Sequence, residues 1–200
     1  MASLVVPIAL ALGSQPAAHA APVDMAPRHE EATTRDGWTL SVDIADERVN
    51  SVPNLAGAVN SREAFVSFSA TARALGAGSP ITDSVFIAGY QLGCQSDVSS
   101  GLGIGGAGAV GGNASLMGVP AAAGGLTGFV QTTIQPGVIV DVPMVNMALN
   151  EGTAMLDVRN IHIKADACGG DVTIRSYAYL RTSSAAAHTE FATYGDPIKI

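Results

Sequence analysis

The stretch Val172-Thr173-Ile174-Arg175-Ser176-Tyr177-Ala178-Tyr179-Leu180-Arg181 alternates apolar and polar residues. Val172, Ile174, Ala178 and Leu180 fall on one side. Thr173, Arg175, Tyr177 and Arg181 fall on the other. A period of two is that of a strand with one wet and one dry face. The same period recurs upstream. Trp38, Leu40, Val42 and Ile44 alternate with Thr39, Ser41 and Asp43. Val66, Phe68, Ala70 and Ala72 oppose Ser67, Ser69, Thr71 and Arg73. Residues 85–94 form a continuous apolar run that ends in Tyr90-Gln91-Leu92-Gly93. Shorter strands are expected over 138–142, 156–158, 161–164 and 191–194. Gly76, Gly78, Ser79 and Pro80 mark a turn, as do Asp36-Gly37 and Asp196-Pro197. Residues 45–62, with Pro53 and Gly57, show no alternation and read as a connection with a helical turn. Many short strands without a helical period predict an all-β fold, a β-sandwich.

The two ends of the chain read differently. Residues 1–20 carry no charge, and 4–12 are an apolar run. Gly13, Ser14, Gln15 and Pro16 break that run, and Ala18-His19-Ala20 supplies the small residues of a cleavage site. This is the pattern of a signal peptide, although no Lys or Arg precedes the apolar run. It is too short for a spanning helix. Residues 21–34, with Pro22, Pro27 and mixed charges, read as a flexible mature N-terminus. In an exported chain, Cys94 and Cys168 favour a disulfide; two buried free thiols are the other reading.

Apolar residues make up 48% of the chain and charged residues only 14%, with 23 glycines. So few charges leave room for a shared or lipid-facing surface. The uncharged residues concentrate in one place: no charge occurs over 98–140. That segment is rich in Gly, Ala and Ser, as a flexible linker would be. It also holds Leu102, Ile104, Val110, Leu126, Phe129, Val130 and Ile134. Leu102, Ile104 and Val110 share one face of a possible strand. Leu126, Val130 and Ile134 share another, opposed by Phe129, Gln131 and Thr133. Each arm is about ten residues, the length of one barrel strand across a bilayer. Residues 113–121, with Gly118 and Pro120, would form the turn. A lone hairpin in lipid leaves its edge amides unpaired, so one hairpin per chain requires several chains in a closed ring.

Four stretches carry a family resemblance. They are Arg35-Asp36-Gly37-Trp38-Thr39-Leu40, Gly89-Tyr90-Gln91-Leu92-Gly93-Cys94 and Gln135-Pro136-Gly137-Val138. The fourth is the tail, Ile174-Arg175-Ser176-Tyr177-Ala178 followed by Thr193-Tyr194-Gly195-Asp196-Pro197. In order and separation they resemble the MspA family of porins from mycolic-acid-containing bacteria. The resemblance implies a rim domain, residues 35–97 and 136–200, built as a β-sandwich. Residues 98–135 would be an inserted stem hairpin that joins an oligomeric transmembrane β-barrel. It implies a ring of identical subunits or of close paralogues, an octamer in the best-known member, set in the lipid of the mycolate outer membrane. Function would be passive diffusion of small hydrophilic solutes. The Cys94/Cys168 pair resembles that of a cysteine-containing branch. Better-known members carry acidic residues near the hairpin turn. Here Ala114-Ser115-Leu116-Met117-Gly118 stands there, so no carboxylate constriction carries over.

Other classes find little support in the residues. A net charge of −7 opposes nucleic-acid binding, which needs a basic face. His19, His29, His162 and His188 lack ligand spacing for a metal. Ser183, Ser184, His188 and Glu190 lie close in sequence, which alone makes no triad. Gly101, Gly103 and Gly106 meet a dinucleotide fingerprint only loosely, with no helix after them. No cofactor or catalytic residue is expected. The competing reading is a secreted or cell-wall β-sandwich that binds a partner, with 98–135 as a flexible arm.

Overall fold

The computed structural model describes residues 21–95, 129–133 and 139–200. Its strands, in chain order, are β1 (Val23–Asp24), β2 (Arg28–Thr33), β3 (Trp38–Val52), β4 (Arg62–Gly76) and β5 (Ile81–Cys94). There follow β6 (Phe129–Thr133), β7 (Ile139–Met147), β8 (Thr153–Asp166), β9 (Val172–Ser184), β10 (His188–Tyr194) and β11 (Ile198–Lys199). The first sheet runs β1-β3-β4-β8-β6, with β2 also on β3. The second runs β10-β9-β5-β7, with β11 also on β9. All named pairings are antiparallel except β6 with β8. No helix occurs among the described residues.

The alternation read from the sequence decides what is buried. Leu40, Val42, Ile44, Val66 and Phe68 of the first sheet pack toward Phe86, Leu92, Ile174 and Leu180 of the second. Ser67, Ser69, Thr71 and Arg73 of β4 point outward, as expected. The fold class is therefore the all-β sandwich that the period of two implies.

Two bulges interrupt this order. The β3–β4 register shifts between Ala45 and Arg48, and the β4–β8 register shifts between Val66 and Phe68. Asp46 (φ 54°) and Asn160 (φ 52°) take left-handed backbone there. Both bulges are tied to the outer face of β4. The Ser69 hydroxyl donates to Ala45 O (3.1 Å), and the Asn160 N–H donates to Ser67 Oγ (2.9 Å).

The β3 bulge adds one residue and reverses which side chains face inward. Even-numbered residues are buried before it, and Glu47 and Val49 after it. Glu47 is thereby driven into the core, 2% exposed. The Tyr90 hydroxyl donates to its Oε1 (2.9 Å) and the Ser176 hydroxyl to its Oε2 (2.7 Å). These bonds join β3 of one sheet to β5 and β9 of the other. Nearby, Arg28 pairs with Asp196.

Burial pushes the Glu47 carboxyl pKa upward, and the two hydroxyl donors only partly oppose it. Over the window from the ordinary glutamate value up to the raised one, the folded state holds the proton that the unfolded state has lost. Stability should therefore fall as pH rises through that window and level off above it. Glu47→Gln should flatten this part of a pH series of denaturant midpoints. Glu47→Ala should cost about 1–3 kcal/mol for each hydroxyl left without an acceptor.

Two expectations need correction. Residues 21–34 are not a loose terminus. Strand β2 pairs with β3 from Arg28↔Ile44 to Thr33↔Thr39, and the Met25 N–H donates to Glu47 O (2.8 Å). Backbone pairing, rather than apolar burial, holds this charged edge strand. Nor do residues 45–62 contain a helical turn. Strand β3 continues to Val52, and 53–61 form a turn closed by Asn54, whose Oδ1 accepts the Ala58 N–H (2.8 Å).

Candidate functional site at the base of the inserted segment

The long segment between β5 and β7 interrupts two neighbouring strands. Strands β5 and β7 pair antiparallel from Phe86↔Met147 to Gly93↔Ile139. The chain departs after Cys94 and returns at Ile139, one register step away. An insertion that leaves and re-enters on adjacent antiparallel strands can extend their ladder as a hairpin, with no crossover. Strand β7 is also the edge of its sheet, and Pro143 is tolerated there because an edge strand has spare N–H positions.

The departure point is anchored. Cys94 ends β5 and forms the disulfide with Cys168, just past β8, with Cα atoms 5.8 Å apart. The bridge ties the second sheet to the first where the insertion begins. The Gln95 N–H donates to Asp171 O (3.1 Å), and the Asp171 N–H donates to Gln95 Oε1 (3.3 Å). Lys199 Nζ lies 2.6 Å from Asp171 Oδ2 and holds that carboxyl below its ordinary range.

A polar row crosses the outer face beside the return strand. Gln91 Nε2 donates to Asp141 Oδ1 (2.7 Å), and Arg175 Nε donates to Gln91 Oε1 (2.7 Å). The Arg175 guanidinium sits 4.7 Å above the Tyr194 ring. Four strands, β7, β5, β9 and β10, are stitched by these contacts. Tyr177 lies on this outward face, as the alternation implies, yet it is buried, and burial raises its hydroxyl pKa.

Gly89 makes close approach possible at the β5–β7 register shift. A Cβ there would lie 2.1 Å from Val142 O and 2.9 Å from Pro143 Cα. Gly89 opens one of the four family stretches, but nothing in the sequence shows that the β7 backbone would crowd a side chain there. Glu47 was equally illegible, because the bulge that buries it erases the local alternation.

The expected stem residues are only partly in view. Leu102, Ile104, Val110, Leu126 and Ile134 lie outside the described residues, as does the signal peptide expected over 1–20. Phe129, Val130, Gln131 and Thr133 belong to β6. Their backbone runs parallel to β8, from Phe129↔His162 to Thr133↔Asp166. In the isolated chain this part of the expected hairpin arm adds to the first sheet instead.

Other groups singled out in the sequence have structural roles. His162 Nε2 lies 3.1 Å from Glu63 Oε2, and its ring stacks on Phe65 with centroids 5.1 Å apart. Ser183, His188 and Glu190 do meet: Ser183 Oγ is 2.9 Å from His188 Nδ1, and His188 Nε2 is 3.7 Å from Glu190 Oε2. They lie on the open β9–β10 hairpin, where His188 and Glu190 side chains are each 57% exposed. Water would compete for every proton on so open a hairpin, which leaves these residues without the enclosed geometry a triad needs. Among the described residues no group of three or more His, Cys, Asp or Glu could hold a metal ion.

Two sheets, antiparallel except for β6, a bridge between them and an insertion leaving from adjacent strands define a class: an all-β sandwich interrupted by one long insertion. The particular lineage follows from comparison. The family model MspA matches residues 36–199, and the chain belongs to that family. A search of the curated proteins finds no match. MspA family proteins are outer-membrane porins that act as oligomers, and they are not enzymes.

Proposed function

We propose that this chain is one subunit of a ring-shaped homo-oligomeric porin. Its 98–135 segment is the stem hairpin, and the sandwich of 35–97 and 136–200 is the rim. The observation that carries the reading is the β5–β7 pair, which presents both ends of an uncharged insertion side by side. Copies of the hairpin complete one another's backbone hydrogen bonds, which a single copy in lipid cannot do. After export and loss of residues 1–20, the ring stands in the mycolate outer membrane. Small hydrophilic solutes diffuse through its water-filled lumen. The octameric state follows the best-known member of the family. Residues 114–118 supply no acidic ring, so the cation-selecting constriction of better-known members is not proposed here.

One observation favours a second reading, a cell-envelope sandwich that does not insert. It is the β6–β8 pairing, which occupies residues the stem would need. The porin reading requires 129–133 to leave β8 on assembly.

One experiment separates the two. Detergent-extracted oligomer should give stepwise conductance in a planar bilayer, and its reversal potential in asymmetric salt reads the ion preference. Gln131→Cys with Lys164→Cys, opposed in the β6–β8 register, should cross-link the unassembled chain and abolish conductance until reduced. Wild type treated with the same reductant is the control. Absence of conductance from wild-type oligomer at every voltage would overturn the porin assignment. Full conductance from the cross-linked chain would show that 129–133 take no part in the stem.

A further inference from the structure

The β3–β4 connection lies at the same end of the sandwich as the stem base. The Cys168 N–H donates to Asn60 O of this connection (2.9 Å), and Cys168 is bonded to Cys94 where the insertion departs. Residues 49–61 contain no charge. Leu55 is 97% exposed and Val59 is 90% exposed. Ile139, the first residue of the returning strand, is 58% exposed. At the opposite end of the strands Leu75 (62%) and Met155 (66%) are less exposed than Leu55 or Val59, and they stand beside the Asp36–Ser184 and Arg181–Asp83 contacts.

The connection is held in shape. Asn54 Nδ2 donates to Ala58 O (2.7 Å) and to Ser61 O (3.2 Å), and the Leu55 N–H donates to Glu63 Oε1 (3.2 Å). A slack loop could fold such side chains inward. This one presents them to the surroundings, where each costs free energy in water.

We propose that Leu55 and Val59 insert into the lipid surface, each subunit adding one such pair to an apolar collar around the stem. The inference rests on the porin reading. The chain beyond the described residues decides the occupant. The chain leaves this end after Cys94, returns at Ile139 and carries no charge over 98–138, so where that segment enters a bilayer the turn at its base meets the interface. A neighbouring subunit is the competing occupant.

The chain has one tryptophan, Trp38, at the far end of β3 from this turn. Leu55→Trp therefore adds a reporter whose emission is read as variant minus wild type. The oligomer is reconstituted in phosphatidylcholine vesicles with brominated acyl chains, and conductance is recorded on the same preparation. The added emission should shift to the blue and be lost to bromine while iodide barely reaches it. Iodide quenching without bromine quenching places the turn in water and overturns the collar. Emission shielded from both quenchers places it against a sister subunit and overturns it too. In either case a conducting preparation leaves the porin reading standing, whereas a silent one removes that reading and the collar with it. Leu55→Ser with Val59→Ser should lower the frequency of channel insertion by about tenfold or more, at unchanged unit conductance. An unchanged insertion frequency would overturn the proposal.

Discussion

Replacing Cys94 and Cys168 together by Ser should lower the stability of the sandwich by about 4–5 kcal/mol, a loss of about 10–15 °C in melting midpoint for a chain of this size. The bridge spans a sequence separation of 74 residues, and the unfolded chain gains much of its lost freedom when so long a loop opens. The folded state would keep most of its own contacts. Gln95 and Asp171 still exchange hydrogen bonds, and Lys199 still pairs with Asp171. The loss should therefore appear in denaturant midpoints and leave unit conductance unchanged. A midpoint equal to that of the unreduced wild type would mean that the bridge does not constrain the unfolded chain.

Gly89→Ala should be nearly as damaging for a different reason. The added methyl would stand 2.1 Å from Val142 O and 2.9 Å from Pro143 Cα, both backbone atoms of β7. Neither can rotate away as a side-chain tip could. Strand β7 would have to separate from β5 near the register shift, and crowding of this kind costs about 3 kcal/mol or more. Amide exchange should localise the damage to 139–147. Uniform exchange across both sheets, with β7 still protected, would count against it. Gly93→Ala is the control, since its nearest contact is an ordinary 3.9 Å from Thr173 O.

These two positions show which features the sequence exposes. Strand β4 was legible because it is half buried along its length: Val66, Phe68, Ala70 and Ala72 face in and their neighbours face out. Strand β9 was legible for the same reason, although Tyr177 is buried on its outward side. Strand β2 was not, because Arg28, His29, Glu30 and Glu31 all reach solvent and leave no period to read. The second half of β3 was hidden by its bulge, which shifts the alternation and puts Glu47 where an apolar residue would be expected. A second bulge at Asn160 split β8 into two apparent short strands. Strand β7 runs past the expected end at residue 142 to Met147, since an edge strand accommodates Pro143.

The site divides in the same way. The disulfide was legible from cysteine count and family resemblance, and the structure forms it. The uncharged insertion was legible from composition. That its two ends leave from paired strands was not, because β5 and β7 are brought together only by the sheet. Leu55 and Val59 carry no periodic signal in the sequence; their exposure depends on a turn held by Asn54.

The covalent link from Cys94 to Cys168 encloses the whole insertion within one chemical loop. A protease that nicks the backbone anywhere between those two residues cannot divide the subunit into separate molecules. Both fragments stay tethered to the sandwich for as long as the surroundings stay oxidising.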